Sequence, residues 1–313
     1  MSSTTSRSTQ RPILVTGAHR SGTTWVGRML AADAETAYIS EPLNVHHRPG
    51  VFRPQVKHWY QYICAENEAD YLTGFRNLFE YDYFLWDEIK SLRSRRDFLR
   101  MGRDFMIFYN ALMRGQRTLL KDPFAVFSIP WFAERLDCQI VVTIRHPAAF
   151  ASSLQRLGWS FNFNDLLDQP LLLRDHLGLF AAPMRSIAAD DVIGQAALLW
   201  KMIYATVHKF AQTNPAWIVV RHEDIARDPV NRYRELYAKL GLDFTHRVEE
   251  TITTSSSSEN PTELTLKKTH SVKMDSAASI KNWRKRLSAD ELQRIRVMTQ
   301  GVAELYYTAE DWQ

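Results

Sequence analysis

Apolar and polar positions along the chain switch between two periods. Five short runs read as buried strands: Ile13 to Thr16, Ala37 to Ser40, Arg117 to Lys121, Gln139 to Ile144 and Trp217 to Val220. Gly17 ends the first, and Pro42, Pro123 and Pro147 stop the next three. Helical spacing fills the intervals, over Thr24 to Ala32, Asp97 to Arg114, Pro147 to Leu157, Val192 to Gln212, Pro229 to Leu240 and Ala289 to Tyr306. Runs of β-branched residues separated by helices predict a parallel sheet covered on both faces. The expected class is three-layer α/β with about five strands and right-handed crossovers.

Some segments fall outside this rhythm. Residues 44–96 are rich in Tyr, Trp and Phe, and residues 158–191 are irregular and leucine-rich. Both read as excursions over the strand ends, where open α/β sheets bind ligands. In the first of them, the aromatic residues from Trp59 to Trp86 fit either a ligand wall or plain core. Residues 1–10 carry seven Ser or Thr and no apolar run, and read as a disordered tail. Thr251 to Asn260, with four serines in a row, reads as a mobile loop within a covering segment, residues 251–283. Residues 11–313 then form a single domain.

The composition, 45% hydrophobic and 24% charged over 313 residues, is that of a globular chain and excludes bulk disorder. Apolar runs such as Ile140 to Ile144 fall far short of the ~20 residues of a membrane span. Lys and Arg number 39 against 35 Asp and Glu, a net charge of +4. That suits an anionic ligand but is too weak to indicate nucleic acid. Two cysteines in dissimilar contexts, Cys64 and Cys138, build neither a disulfide framework nor a metal site. They fit a reducing, cytoplasmic compartment.

The strongest local signal runs Gly17-Ala18-His19-Arg20-Ser21-Gly22-Thr23-Thr24-Trp25, between a strand and a helix. Its glycines are spaced as in a nucleotide-binding P-loop, whose backbone N–H groups cradle a phosphate at a helix N-terminus. The nucleotide triphosphatase pattern demands Lys after the second glycine, and Thr23 stands there. The cation is Arg20, inside the loop. The fourth strand ends in Arg145 and His146, where a Mg²⁺-binding Asp would be expected. Arg145, beside a helix start set by Pro147, can grip a phosphate, and Ser153 in that helix can add a hydroxyl. Glu223 and Asp224 after the fifth strand fit a structural role equally well.

In these residues the chain resembles the sulfotransferases that use 3′-phosphoadenosine 5′-phosphosulfate (PAPS). Pro12 to Trp25 resembles their 5′-phosphosulfate loop. Val141 to Pro147 followed by Ser153 resembles their 3′-phosphate motif. His222-Glu223-Asp224 resembles a Tyr-Glu-Asp step with His for Tyr, and Ile280 to Leu287, with Trp283, a closing segment. The resemblance implies cofactor contacts from Arg20, Ser21, Gly22, Thr23, Thr24, Trp25, Arg145, Ser153 and His222. Lys273 matches more loosely a lysine that reaches the cofactor. Lys267, Lys268 and Arg284 to Arg286 compete for the 3′-phosphate. Trp25 and Trp283 fit adenine stacking or core packing.

The implied reaction moves a sulfuryl group in line to an acceptor hydroxyl and releases 3′-phosphoadenosine 5′-phosphate (PAP), with fixed cations and no metal. Arg20 meets the leaving oxygen. Glu41, closing the second strand, is the expected base, as at a similar spacing in the carbohydrate and tyrosylprotein branch. Lys121 of Lys121-Asp122-Pro123-Phe124 is a second cation of that branch. Asp122 is the next candidate base, then His46 or His47. The acceptor expected is a small molecule or glycoconjugate. Two other functions stay open: a P-loop kinase using ATP and Mg²⁺, and a non-catalytic nucleotide-binding homologue.

Overall fold

A computed structural model describes residues 10–263 and 273–313. Most of the expected tail, and Lys267 and Lys268, lie outside them. The strands are β1 (Ile13–Gly17), β2 (Thr36–Ser40), β3 (Arg117–Lys121), β4 (Gln139–Ile144) and β5 (Ile218–Arg221). They form one parallel sheet in the order β2-β3-β1-β4-β5.

Side chains alternate across the strands, so each strand feeds two cores. Leu14, Leu120, Ile140 and Val142 enter one, with Phe132, Phe150 and Trp200 from the helices of that face. Ile13, Val15, Leu119 and Val141 enter the other, against Trp25, Val26, Tyr233 and Leu236. Helices on both faces make the expected three layers, a nucleotide-binding fold of the P-loop type. The sheet order diverges on either side of β1, which opens a crevice at the carboxyl ends of the strands.

The aromatic excursion is mostly core. Tyr60, Tyr62, Tyr71, Phe75 and Tyr81 are buried, because their large rings supply the area that closes this side of the sheet. It also contains helices Leu72–Phe79 and Leu85–Ser91. The serine-rich stretch expected to be a loop is mostly helix, His246–Ser256. Thr245 caps it through the Val248 N–H, and Val248, Ile252 and Ser255 form one buried stripe. Burial of that stripe outweighs the weak helix propensity of Ser and Thr. The last long helix, Ala289–Thr299, ends sooner than its periodicity suggests, because Gly301 turns the chain with φ 80°.

Candidate active site

Every strand ends at the same sheet edge, and each end delivers a residue singled out by the sequence. The end of β1 becomes the glycine loop. Gly17 has φ 141°, and a Cβ there would lie 2.2 Å from the Thr143 carbonyl oxygen, so no other residue fits. Ser21 pins the loop from within, its hydroxyl 2.6 Å from the Ala18 carbonyl and 2.7 Å from Thr143 Oγ1. The Ala18 and His19 N–H groups donate to the hydroxyls of Tyr204 and Tyr60, each at 3.2 Å. Gly22 then starts helix Thr23–Leu30 with no side chain to cap it. The first-turn N–H groups of Thr23, Thr24 and Trp25 have no acceptor within the helix and suit an anion.

Guanidinium groups gather around this loop. Arg20 Nε donates to Ser153 Oγ at 3.2 Å. Arg145, just past β4, donates through Nη1 to the Arg20 carbonyl at 3.1 Å. Its Nε is buried without a hydrogen-bond partner among the described residues. Burial, then the charges of Arg145 and Arg156, pull Arg20 down to about 10. Burial also lowers Arg145; Glu223 opposes this, while Arg286 and Arg156 add to it. Glu263 answers Arg156 and Arg286. Glu223 instead accepts from the His146 N–H at 2.9 Å and the Tyr307 hydroxyl at 3.0 Å, which gives it a structural role. Guanidinium groups drawn this close together are stabilised by a bound anion. Arg156 stands three residues after Ser153 on helix Pro147–Leu157, a spacing that puts the two on one helix face.

His222 follows β5 directly. It is 5% exposed, and neither ring nitrogen has a hydrogen-bond partner among the described residues. Burial, then Arg145, lowers it to about 3, so the imidazole is neutral. Its ring meets Trp25 edge-on with centroids 5.5 Å apart. Trp25 in turn donates to Ser255 Oγ at 3.2 Å, tying the loop helix to the serine-rich helix.

Glu41 and Lys121 end β2 and β3. Glu41 takes the left-handed conformation, φ 55°, and its N–H donates to the Lys121 carbonyl at 2.8 Å. Its carboxylate pairs with Lys121 Nζ and accepts from Asn44 Nδ2 at 3.0 Å. A strained backbone at this position is held by those contacts. Asp122 points elsewhere. Fully buried, it accepts from the Leu43 N–H at 2.6 Å and the Phe124 N–H at 2.9 Å, and it fixes the backbone turns on either side. Burial, then Glu41, raises it to about 7. His46 meets Trp59 edge-on and His47 bonds the Asn44 carbonyl. Asp122, His46 and His47 all stand outside the cavity wall. His19 does line it, as His222 does; it is held by the Tyr60 hydroxyl at 2.6 Å and lowered to about 4 by burial, then by Arg20.

One cavity of about 580 Å³ joins these groups. Its wall includes Arg20, Gly22, Thr23, Thr24, Trp25, Glu41, Arg145 and His222. Ser21, Lys121 and Ser153 sit behind that wall, bonded to the loop, to Glu41 and to Arg20 respectively. Lys273 is exposed and off the wall, though the next residue, Met274, is on it. Trp283 does not reach the cavity; it stacks on His146 at 5.4 Å within a small core of its own. Trp59, Phe124, Trp159 and Phe161 complete the wall with apolar surface.

Comparison with known proteins follows the same lines. The curated carbohydrate sulfotransferase 1 of Danio rerio is 31% identical over 103 residues, which is 31% of this chain and 24% of that protein. The chain is similar in structure to the sulfotransferase domain of the Synechococcus PCC 7002 olefin synthase, with a TM-score of 0.46 and 17% identity over 96% of each chain. It is also similar to a mouse sulfotransferase complexed with PAP, at TM-score 0.41 and 12% identity, over 93% of this chain and 83% of that one. The sequence model of the sulfotransferase family matches residues 12–246, from the first strand past the fifth and well over half of the chain. The chain therefore belongs to the sulfotransferase family.

Proposed function

We propose that this protein transfers a sulfuryl group from PAPS to an acceptor hydroxyl and releases PAP. The observation that carries the reading is a single cavity whose wall holds Arg20 and Arg145 beside the glycine loop together with the Glu41 carboxylate. The residues fit the nucleotide. Arg145 Nε and both nitrogens of His222 are buried polar atoms lacking partners among the described residues, a costly state that polar groups of a bound nucleotide relieve. Arg20, Ser21, Gly22, Thr23 and Thr24 would hold the 5′-phosphate. Arg145, Ser153 and the nearby Arg156 and Arg286 would hold the 3′-phosphate. Trp25 and His222 would meet the base, and Lys273 would reach in from the rim.

When bound, PAPS supplies a sulfuryl group on a phosphate leaving group. Arg20 and the loop N–H groups stabilise charge developing on the leaving oxygen. Glu41 takes the acceptor proton, and Lys121 and Asn44 hold its carboxylate in one orientation. Trp59, Phe124 and Trp159 keep water from the transfer and suit an acceptor with an apolar face; Asn44, Asn162 and Asp165 offer partners to its hydroxyls. A small molecule or glycoconjugate with neutral hydroxyls answers that description. Two free cysteines support a cytoplasmic setting.

Thermal unfolding with PAP or with ATP and Mg²⁺, followed by ³⁵S transfer from labelled PAPS to an acceptor panel, tests the reading. Stabilisation by PAP together with transfer is expected. Stabilisation by ATP and Mg²⁺ alone would make the protein a kinase. PAP binding without transfer across sugars, phenols and lipids would make it a non-catalytic homologue.

A further inference from the structure

Helix Arg95–Arg114, about 30 Å long, has three distinct faces. Met101, Asp104, Phe108 and Ala111 turn inward. A second face is apolar and open to solvent: Phe98 is 60% exposed and Leu99 72%, followed by Met106, Tyr109 and Met113 at helical spacing. Trp86, 74% exposed on the preceding helix Leu85–Ser91, belongs to the same apolar, solvent-open region of the chain. A Cβ added at Gly102, in the middle of the open face, would meet nothing within 4 Å. At about 200 Å² for a large side chain, these six leave about 700 Å² of apolar surface. The largest patch on a typical monomer is about 300–600 Å².

The third face decides what covers this surface. Arg96, Arg100, Arg103 and Arg114 fall on one line of the helix, and Lys90, Arg93 and Arg95 precede it, all exposed. The neighbouring carboxylates are engaged. Arg48 pairs with Glu88, Arg53 with Asp87, Arg103 with Asp104 through Nε and Nη2 at 2.9 and 2.7 Å, and Arg100 lies 4.0 Å from Asp97, which leaves Lys90, Arg93, Arg95, Arg96 and Arg114 as the cations of this face with no ion pair among the described residues. A second copy of the chain needs only about 800 Å² per partner, so area alone would admit one. It would, however, bring Lys90, Arg93, Arg95, Arg96 and Arg114 to the rim against their own copies, the carboxylates of this face being already paired. An anionic bilayer answers both faces, taking the apolar side chains between its headgroups and the arginines at phosphate level.

We propose that helices Leu85–Ser91 and Arg95–Arg114 form a docking face that seats the protein on anionic membrane surfaces. The protein lies on the bilayer, and among the described residues no helix is long and apolar enough to cross it. Arg48, which donates to the Asp97 carbonyl at 3.0 Å, ties this face to the segment that leaves the cavity wall at Asn44.

Co-sedimentation of the full chain with vesicles of phosphatidylcholine, alone or mixed with phosphatidylglycerol, tests the proposal. Binding to the mixed vesicles, weakening as salt is raised, is expected. Replacing Arg95, Arg96 and Arg114 together by Gln should weaken it about a hundredfold, near fivefold for each arginine. Replacing Phe98, Leu99 and Met106 together by Ser should abolish it with thermal unfolding little changed, since all three are exposed. Equal binding to both vesicle types, or full binding by the arginine variant, overturns the proposal. So does a dimer in sedimentation equilibrium that the serine variant dissociates while vesicles bind neither protein.

Discussion

Replacing His222 by Phe should make the protein more stable and a poorer binder of PAP. The ring is buried and neutral, at about 3 in the fold against an ordinary 6.5. As pH falls below 6.5, the unfolded chain takes up a proton that the folded chain refuses. The stability tied to the neutral ring is therefore whole above pH 6.5 and is lost toward pH 3, at about 1.4 kcal/mol per unit. Near pH 5 the loss is about 2 kcal/mol. Phe removes that loss, and it also removes two buried nitrogens without partners, a further gain of about 1–3 kcal/mol at any pH. It keeps the edge-on contact with Trp25, in a slot where the resembling motif carries Tyr. Urea unfolding of both proteins near pH 7.5, 6 and 5 measures the difference, and the slopes of His19 and His146 cancel in it. The gap should widen by about 2 kcal/mol on acidification, while PAP affinity falls about tenfold for one lost hydrogen bond. A gap that does not change with pH would refute the buried neutral ring. Unchanged PAP affinity would remove His222 from the nucleotide site.

Glu41→Gln keeps an acceptor for Lys121 but cannot take a proton. Turnover should fall about 10²–10⁴-fold with PAP affinity nearly unchanged, read by ³⁵S transfer beside calorimetric titration. Arg145→Ala should act in the opposite order, weakening PAP about a hundredfold, since it removes a charged donor and frees the Arg20 carbonyl. Gly22→Ala places a Cβ 2.5 Å from His222 Nδ1 at φ 97°. It should cost about 2 kcal/mol or more in urea unfolding and abolish PAP binding, whereas Gly241→Ala, also at positive φ but in open space, should cost only about 1 kcal/mol and leave binding intact.

The sequence by itself determined the strands, the order of elements and the phosphate loop, because these rest on local physics. Buried parallel strands are apolar through their middle, so β4, with Ile140, Val141, Val142 and Ile144, has the same bounds in the sequence pattern and in the structure. A loop with Gly17 and Gly22 needs residues that tolerate positive φ, and that demand is written into the chain. Local pattern failed where burial reversed it, in the serine-rich helix His246–Ser256; it left the aromatic stretch open between ligand wall and core, and packing made most of it core. Only the tertiary structure decided which polar groups share a site. Glu41 and Asp122 are both carboxylates at strand ends, yet one lines the cavity and the other caps backbone N–H groups, because a strand end aims successive side chains to different sides. The meeting of Arg20 and Arg145 is likewise legible only once β1 and β4 lie side by side, since Coulomb interaction depends on distance in space and residues 125 apart in the chain carry no sign of it.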